Sequence, residues 1–343
     1  MSAALSHLKV LDLSRVLAGP WASQTLADFG AQVIKVERPE KGDDTRAWGP
    51  PYLKDNAGND TKESAYFMSA NRGKESVCID ITTTKGQLQI QKLAEQCDVV
   101  IENFKVGGAK KYGLDYESLA KKNPQLIYCS ITGFGQTGPY KDRPGYDFLV
   151  QAMGGLMSVT GDKQSGPQKV GVALTDVMTG LYATVGILTA VTEREKSGLG
   201  QHVDLALLDV TAATLANQAT NFLVGDKVPT GLGNAHPNIV PYQSFETADG
   251  HMIVAVGNDG QFKRFCQVIN LAGLADDENY ASNEQRVLNR DVLVPMLQAQ
   301  LKRKSRDAWL AEFEKHQVPA GPINSIDEVF SNEQILAREM RVK

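Results

Sequence analysis

Short apolar runs alternate with helix-period stretches through the first part of the chain. Leu8–Leu13 is rich in β-formers and is followed by a turn at Gly19-Pro20. Trp21–Phe29 carries helical spacing and stops at Gly30, and Ala31–Val36 reads as the next strand. A glycine at that point is a helix stop signal. Strand, helix and strand on this scale predict a βαβ unit, hence a parallel sheet with a right-handed crossover. After an irregular stretch, Pro39–Lys62, the rhythm resumes with a strand at Ser76–Ile81. A helix at Thr84–Gln96 turns Leu88, Ile90 and Leu93 to the core. A strand at Asp98–Glu102, a short helix at Tyr116–Lys122 and a strand at Leu126–Thr132 complete the series. An open, doubly wound parallel α/β sheet accounts for it.

From Asp147 to about Val224 the pattern is largely helical, apart from a strand-like Gln201–Leu205. Gly231–Pro241 is a loop rich in Gly, Asn and Pro. Two β-like runs, Pro241–Phe245 and His251–Val256, flank the turn Ala248-Asp249-Gly250, and helices are expected near Gln261–Ile269, Asn283–Arg303 and Arg306–Lys315. The expected division is a large domain over 1–224, a smaller α+β domain over 225–330 and the start of a linker over 331–343.

Composition narrows the function classes. The 343 residues carry 36 Lys+Arg against 40 Asp+Glu, a net charge of −4, which argues against a nucleic-acid surface but leaves room for a local basic pocket. Cys78, Cys97, Cys129 and Cys266 form no C-x-x-C pair and read as small core residues of a reducing cytosol. The N-terminus lacks a basic region followed by a long apolar run. The apolar segment Leu181–Val191 is broken by Thr184, Gly186 and Thr189 and reads as too short to span a bilayer. A cytoplasmic protein without a membrane partner is expected.

No G-x-G-x-x-G follows the first strand, and neither a phosphate loop nor a G-x-S-x-G elbow occurs. His7, His202, His236, His251 and His316 show no metal-ligand spacing. Neither a metal nor a tightly bound cofactor is expected. What remains is a set of polar strings at strand ends, where open α/β sheets hold their ligands. Arg15-Val16-Leu17-Ala18-Gly19-Pro20 is either a ligand-holding turn or a plain strand-to-helix connection. Arg38, in Val36-Glu37-Arg38-Pro39, is either a phosphate or adenine contact or a solvated side chain. Asn71–Ser76 and Glu102-Asn103-Phe104 add polar groups at the same edge. Asp176 opens an apolar, small-residue helix, as a first-turn acid favoured by the helix dipole or as a nucleophile towards a thioester.

Together these strings resemble the class III CoA-transferase family, also called the formyl-CoA transferase or carnitine CoA-transferase family, from about Leu8 to Arg338. The motifs are RVLAGP at Arg15, IKVERP at Ile34, GDDTRAWGPP at Gly42, IENF at Ile101, SITGFGQTGP at Ser130, GYD at Gly145, GVALTDVMTGLYA at Gly171, KSGLGQHVDLALLD at Lys196 and VPAGPIN at Val318. GNAHPNIVPYQSF from Gly233 and NEQRVLNR from Asn283 resemble the branch acting on succinyl-CoA and glutarate.

The resemblance implies CoA and acyl-CoA as substrates, a carboxylic acid as acceptor, Asp176 as nucleophile and a covalent aspartyl-CoA thioester. It implies CoA contacts at Val16, Leu17, Ala18, Arg38, Ile79, Thr82, Asn103, Phe104, Lys105, Lys111 and Tyr146. Leu17 stands where formyl-CoA transferases have a glutamine, which disfavours formyl or oxalyl substrates, and Thr82 stands where they have a lysine. For the distal carboxylate of a dicarboxylate the candidates are Arg46, then Arg15 and His236. Gly231–Asn238 is either a mobile loop over the site or a connecting turn. The family forms interlocked homodimers. Its members continue through a segment returning to the large domain, so an ending at Lys343 reads as a truncation. The alternatives are an α-methylacyl-CoA racemase-like enzyme, disfavoured because Tyr146 stands where the racemase histidine falls, and a catalytically silent CoA-binding protein.

Overall fold

The computed structural model describes residues 3–342. It divides into two compact units. One runs to Thr160 and resumes from Pro167 to Thr230; the other takes Gly161–Gly166 and the chain from Gly231 onward. The division thus falls at Thr230/Gly231 where the sequence suggested 224, and residues 331–342 group with the smaller unit.

The larger unit is built on strands β1 (Lys9–Asp12), β2 (Gln32–Glu37), β5 (Lys74–Cys78), β6 (Val99–Glu102), β7 (Ile127–Thr132) and β10 (His202–Ala206). All pair in parallel, in the order β10-β7-β6-β1-β2-β5. Side chains alternate between two cores. Val10, Val99, Ile101, Ile127 and Cys129 face α1 (Ala18–Asp28) and α6 (Leu174–Ser197), while Leu11, Val100 and Tyr128 face α3 (Thr84–Ala94) and α4 (Tyr116–Ala120). The inner strands β1, β6 and β7 are buried on both faces and so read as near-continuous apolar runs, which is why the sequence disclosed them. Gly180 lets α1 and α6 approach closely, since a Cβ there would lie 2.7 Å from the Ala18 carbonyl oxygen.

Several expectations are corrected. The stretch Pro39–Lys62 holds a 3₁₀ turn at Asp44–Ala47 and a hairpin, β3 (Tyr52–Lys54) with β4 (Asp60–Ser64), leading into α2 (Ala65–Ser69). The third sheet strand begins at Lys74, two residues before the expected Ser76. On α3 the buried face is Gly86, Ile90 and Ala94. Leu88 is 51% exposed because it lies two residues, or about 200°, from Ile90 and Gly86 on the helix. Cys78 is exposed at the end of the edge strand β5, whereas the other three thiols are buried; all four are free. The segment around Leu181–Val191 belongs to the 24-residue helix α6, which is long and apolar enough to cross a membrane. Its Ala183, Ile187, Ala190 and Val191 are buried in the core, which accounts for much of that composition.

Ahead of α6 lie α5 (Asp147–Met153) and the two-residue strands β8 (Gly161–Asp162) and β9 (Gly166–Pro167); α7 (Leu207–Thr214) and α8 (Ala216–Gly225) follow β10. The smaller unit has an antiparallel sheet of β11 (Tyr242–Glu246), β12 (His251–Ala255) and β13 (Ala320–Pro322), in that order. Its core is closed by α9 (Asp259–Val268), α11 (Arg290–Leu301) and α12 (Arg306–Lys315). The single helix expected over Asn283–Arg303 is two, α10 (Asn283–Leu288) and α11, divided at Asn289. Helices α13 (Ile326–Ser331) and α14 (Glu333–Ala337) follow β13.

Candidate active site

The strand order places β1 between β6 and β2, so successive connections run away from β1 in both directions and leave a crevice at the carboxyl ends of β1 and β6. A cavity of about 860 Å³ opens there, lined entirely by the larger unit. The turn after β1 forms one wall. Val16 has φ 72°, a conformation that costs a β-branched residue about 1–2 kcal/mol. Neighbouring groups impose it. The Asn103 side chain accepts the Arg15 N–H at 3.0 Å and donates to the Arg15 carbonyl at 2.7 Å. Asp43 accepts the Val16 N–H at 3.3 Å and is itself paired at 2.9 Å with the buried ammonium of Lys35.

Asp176 stands in the first turn of α6 and lines the cavity. The residue before the helix provides no side-chain cap. Asp147 of α5 does so from outside, its Oδ1 accepting the N–H groups of Thr175 at 2.9 Å and Asp176 at 3.3 Å. Asp147 is in turn held by Gln151 Nε2 at 2.7 Å. Two glycines fix the approach to α5: a Cβ on Gly133 would lie 2.5 Å from Gly145 Cα, so only glycines let these backbones touch. No described residue donates a hydrogen bond to the Asp176 carboxylate. Burial, and secondly the neighbouring Asp147 charge, push its pKa up to about 7. The arrangement offers a weakly solvated carboxylate that is anionic at slightly alkaline pH. The phenol of Tyr66 is pushed up by burial and by Asp176, Asp147 and Asp43, so it shares this acidic field.

Every residue that the resemblance implied as a CoA contact lines this one cavity with Asp176: Val16, Leu17, Ala18, Arg38, Ile79, Thr82, Asn103, Phe104, Lys105, Lys111 and Tyr146. Arg15 lines it too, with Nη1 on Asp44 at 2.8 Å. Arg46 does not. Its guanidinium grips Glu37 through Nε and Nη2 at 2.7 Å each and Glu63 through Nη1 at 2.6 Å, over the Phe67 ring. With both neighbouring carboxylates satisfied by it, Arg46 is a structural cation. Burial alone would raise Glu37, but hydrogen bonds from Arg46, Ser76 and the Asp43 amide hold it down at about 2. His236 belongs to the smaller unit, where it contacts Tyr242 and where Arg290 binds its carbonyl at 3.1 Å.

The sequence reading missed the capping role of Asp147, the Lys35–Asp43 pair, and three further cations on the wall, Lys41, Lys141 and Arg143. The basic string Lys141-Asp142-Arg143 was the available signal for the last two. Nothing local could have disclosed the other pairings. Among the described residues no group of acids, histidines and cysteines is suited to a metal ion, and no histidine lines the cavity.

The family model described as CoA-transferase family III matches residues 5–343. A succinate–glutarate CoA-transferase from Agrobacterium fabrum is 52% identical over 338 residues, covering 98% of this chain and 84% of that one. A succinyl-CoA:glutarate CoA-transferase from Mus musculus is 45% identical over 332 residues, covering 97% and 74%. Among solved structures, a CAIB/BAIF family protein from Brucella suis matches with TM-score 0.88 at 52% identity, over 100% of this chain and 89% of that one.

Proposed function

The chain belongs to CoA-transferase family III, and from that premise we propose that it moves CoA from succinyl-CoA to a dicarboxylate such as glutarate through a thioester on Asp176. The observation that carries this reading is the Asp176 carboxylate, half-buried and given no hydrogen-bond donor by the described residues, in a cavity whose wall presents Arg38, Lys41, Lys105, Lys111, Lys141 and Arg143. Those cations suit the phosphates of CoA.

In the proposed reaction an Asp176 oxygen attacks the thioester carbon and CoA leaves as thiolate, giving a mixed anhydride. The thiolate then attacks the Asp176 carbonyl carbon, forming the aspartyl-CoA thioester and freeing succinate. The acceptor carboxylate attacks that thioester, the thiolate leaves and attacks the acceptor's acyl carbon, and Asp176 is regenerated. One thioester replaces another, so no nucleotide is consumed. Of the three candidates for the distal carboxylate, Arg15 is the one lining the cavity, and Arg15→Ala should raise the KM of both succinyl-CoA and the acceptor, each of which carries a distal carboxylate, more than that of an acyl-CoA without one.

Intact-protein mass spectrometry after incubation with succinyl-CoA, with hydroxylamine trapping, tests the reading. An adduct on Asp176 that is lost in Asp176→Ala supports it. Failure to form one with any of several acyl-CoAs, while CoA still binds, favours the silent binding protein. A racemase-like enzyme would need a histidine beside the aspartate, and the cavity has none on its wall. The setting we propose is cytoplasmic, in keeping with four unpaired thiols.

A further inference from the structure

Behind the cavity wall lies a chain of titratable groups that the transfer chemistry does not use. Glu102, at the end of β6, is 4% exposed. Its Oε2 accepts the Phe104 N–H at 2.7 Å, and Phe104 lines the cavity. The register of the parallel pair puts Ser130 of β7 opposite Glu102 on the same face of the sheet, and the Ser130 hydroxyl stands close enough to the carboxyl to lower its pKa. The same hydroxyl meets His202 Nε2 at 2.9 Å. The imidazole is held in that orientation by stacking on Tyr116, with centroids 5.3 Å apart, and by the Tyr128 ring at 5.5 Å. Ser130 is buried, whereas His202 at the start of β10 reaches solvent.

A hydroxyl has one proton to donate. With Glu102 ionised, Ser130 donates to the carboxylate and accepts from a proton on His202 Nε2. With Glu102 protonated, its O–H donates to Ser130, Ser130 donates to Nε2, and the imidazole proton sits on Nδ1. The change takes up one proton from water. It enters at Nδ1, the Nε2 proton passes to Ser130, and the Ser130 proton passes to Glu102. Charge and atoms balance with no further reactant.

We propose that His202 and Ser130 form a proton relay to Glu102, a positioning residue whose protonation sets how firmly the Phe104 segment is held against acyl-CoA. This rests on acyl-CoA occupying the cavity. Burial raises Glu102 to about 7, aided by Asp204 and opposed by the hydrogen bonds from Ser130 and the Phe104 amide. His202 is lowered by burial, more than Asp204 raises it, so it is neutral where the relay operates. The groups facing Glu102 are therefore Ser130, His202 and Asp204, with Tyr128 and Cys129 as acids that burial pushes up further. On the other flank Asp12 of β1 is occupied by Lys74 and Ser23.

Two readouts on the whole chain test the relay. CoA binding is followed by calorimetry between about pH 6 and 9 in the wild type and in Glu102→Gln, whose difference removes the titration of CoA's own phosphate. The His202 tautomer is read from long-range ¹H–¹⁵N spectra, assigned with His202→Gln. A neutral carboxyl is about half as strong an acceptor as a carboxylate, so the wild-type Kd should rise about tenfold more than the variant's as pH falls. His202 should pass from Nε2–H to Nδ1–H with the same midpoint. In Glu102→Gln it should stay Nδ1–H, because the Gln oxygen is taken by the Phe104 amide and its NH₂ faces Ser130. Equal pH dependence of Kd in the two proteins, or a wild-type tautomer indifferent to pH, overturns the relay. Wild-type protein that binds no CoA at any pH overturns instead the reading of the cavity. Should Glu102→Gln not fold, the wild-type spectra decide: a tautomer change at the binding midpoint supports the relay, and a fixed tautomer overturns it.

Discussion

An aspartate that attacks a thioester has to be an anion, and burial works against that at Asp176. Its pKa is pushed up to about 7 by burial first and by Asp147 second, so kcat/KM should fall about tenfold per pH unit below that value. Asp147→Asn keeps an oxygen for the amides of Thr175 and Asp176 but removes the like charge. Its acidic limb should therefore move to lower pH, though only by the smaller part of the shift, because burial remains. A limb that stayed in place would assign it to Glu102, also near 7. The same shift bears on stability. Between the ordinary carboxyl value of 3.8 and about 7 the folded state holds a proton that the unfolded state has lost, so stability falls as pH rises through that window and levels off above it. Asp176→Asn escapes this penalty. Its Tm should match the wild type's near pH 4, exceed it increasingly towards pH 7 and keep a constant lead above, while transfer activity is lost. Parallel melting curves across pH check the sign.

At the scale of the element, the turn from β1 into α1 depends on contacts from other parts of the chain. Val16 at φ 72° is held by Asn103 through both polar groups of Arg15 and by Asp43. Asn103→Asp preserves the size and the acceptor but loses the donor to the Arg15 carbonyl. It should cost about 1–2 kcal/mol of stability and raise the KM for acyl-CoA more than that for the acceptor acid. Equal effects on both substrates would mean that the turn serves the whole site and not the CoA side. Such contacts explain what the sequence could disclose. The inner parallel strands were legible because burial on both faces makes them apolar runs. The ligand edge was legible because RVLAGP and IENF lie at strand ends and, with GYD before α5, carry the family resemblance. The face of α3 was not, because Leu88 and Ile90 are equally apolar and tertiary packing chooses between them. Nor was the fate of Arg46, whose partners lie 9 and 17 residues away and form a pair only once β2 and the hairpin are folded. Asp147 was visible as a residue but not as a cap, since the amides it accepts belong to a helix 28 residues later.

At the scale of the molecule, the larger unit leaves several large apolar side chains of α5 and α6 in water. On α5 and α6, which pack together, Phe148 is 59% and Val185 63% exposed, with Leu149, Met153, Leu181 and Tyr182 also open. Single exposed apolar residues are ordinary, but grouped ones on packed helices mark an interaction surface. We read them as the contact of a homodimer, the assembly that the family resemblance implied, and a second copy of the chain is the simplest partner because identical chains most often close a two-fold pair. Sedimentation velocity at micromolar concentration should then show a dimer. Val185→Asp puts a charge at a position that is exposed in the single chain, so it should leave the thermal stability of the monomer nearly unchanged while weakening the pair by an order of magnitude or more, since an unpaired buried charge costs several kcal/mol. Because Asp176 lies on the same helix, two turns and a half before Val185, the assay should be run on the separated monomer as well. Activity that disappears with the dimer and returns at high protein concentration would tie the reaction to the pair. A wild type that sediments as a monomer and is fully active would confine the whole of the proposed chemistry to one chain.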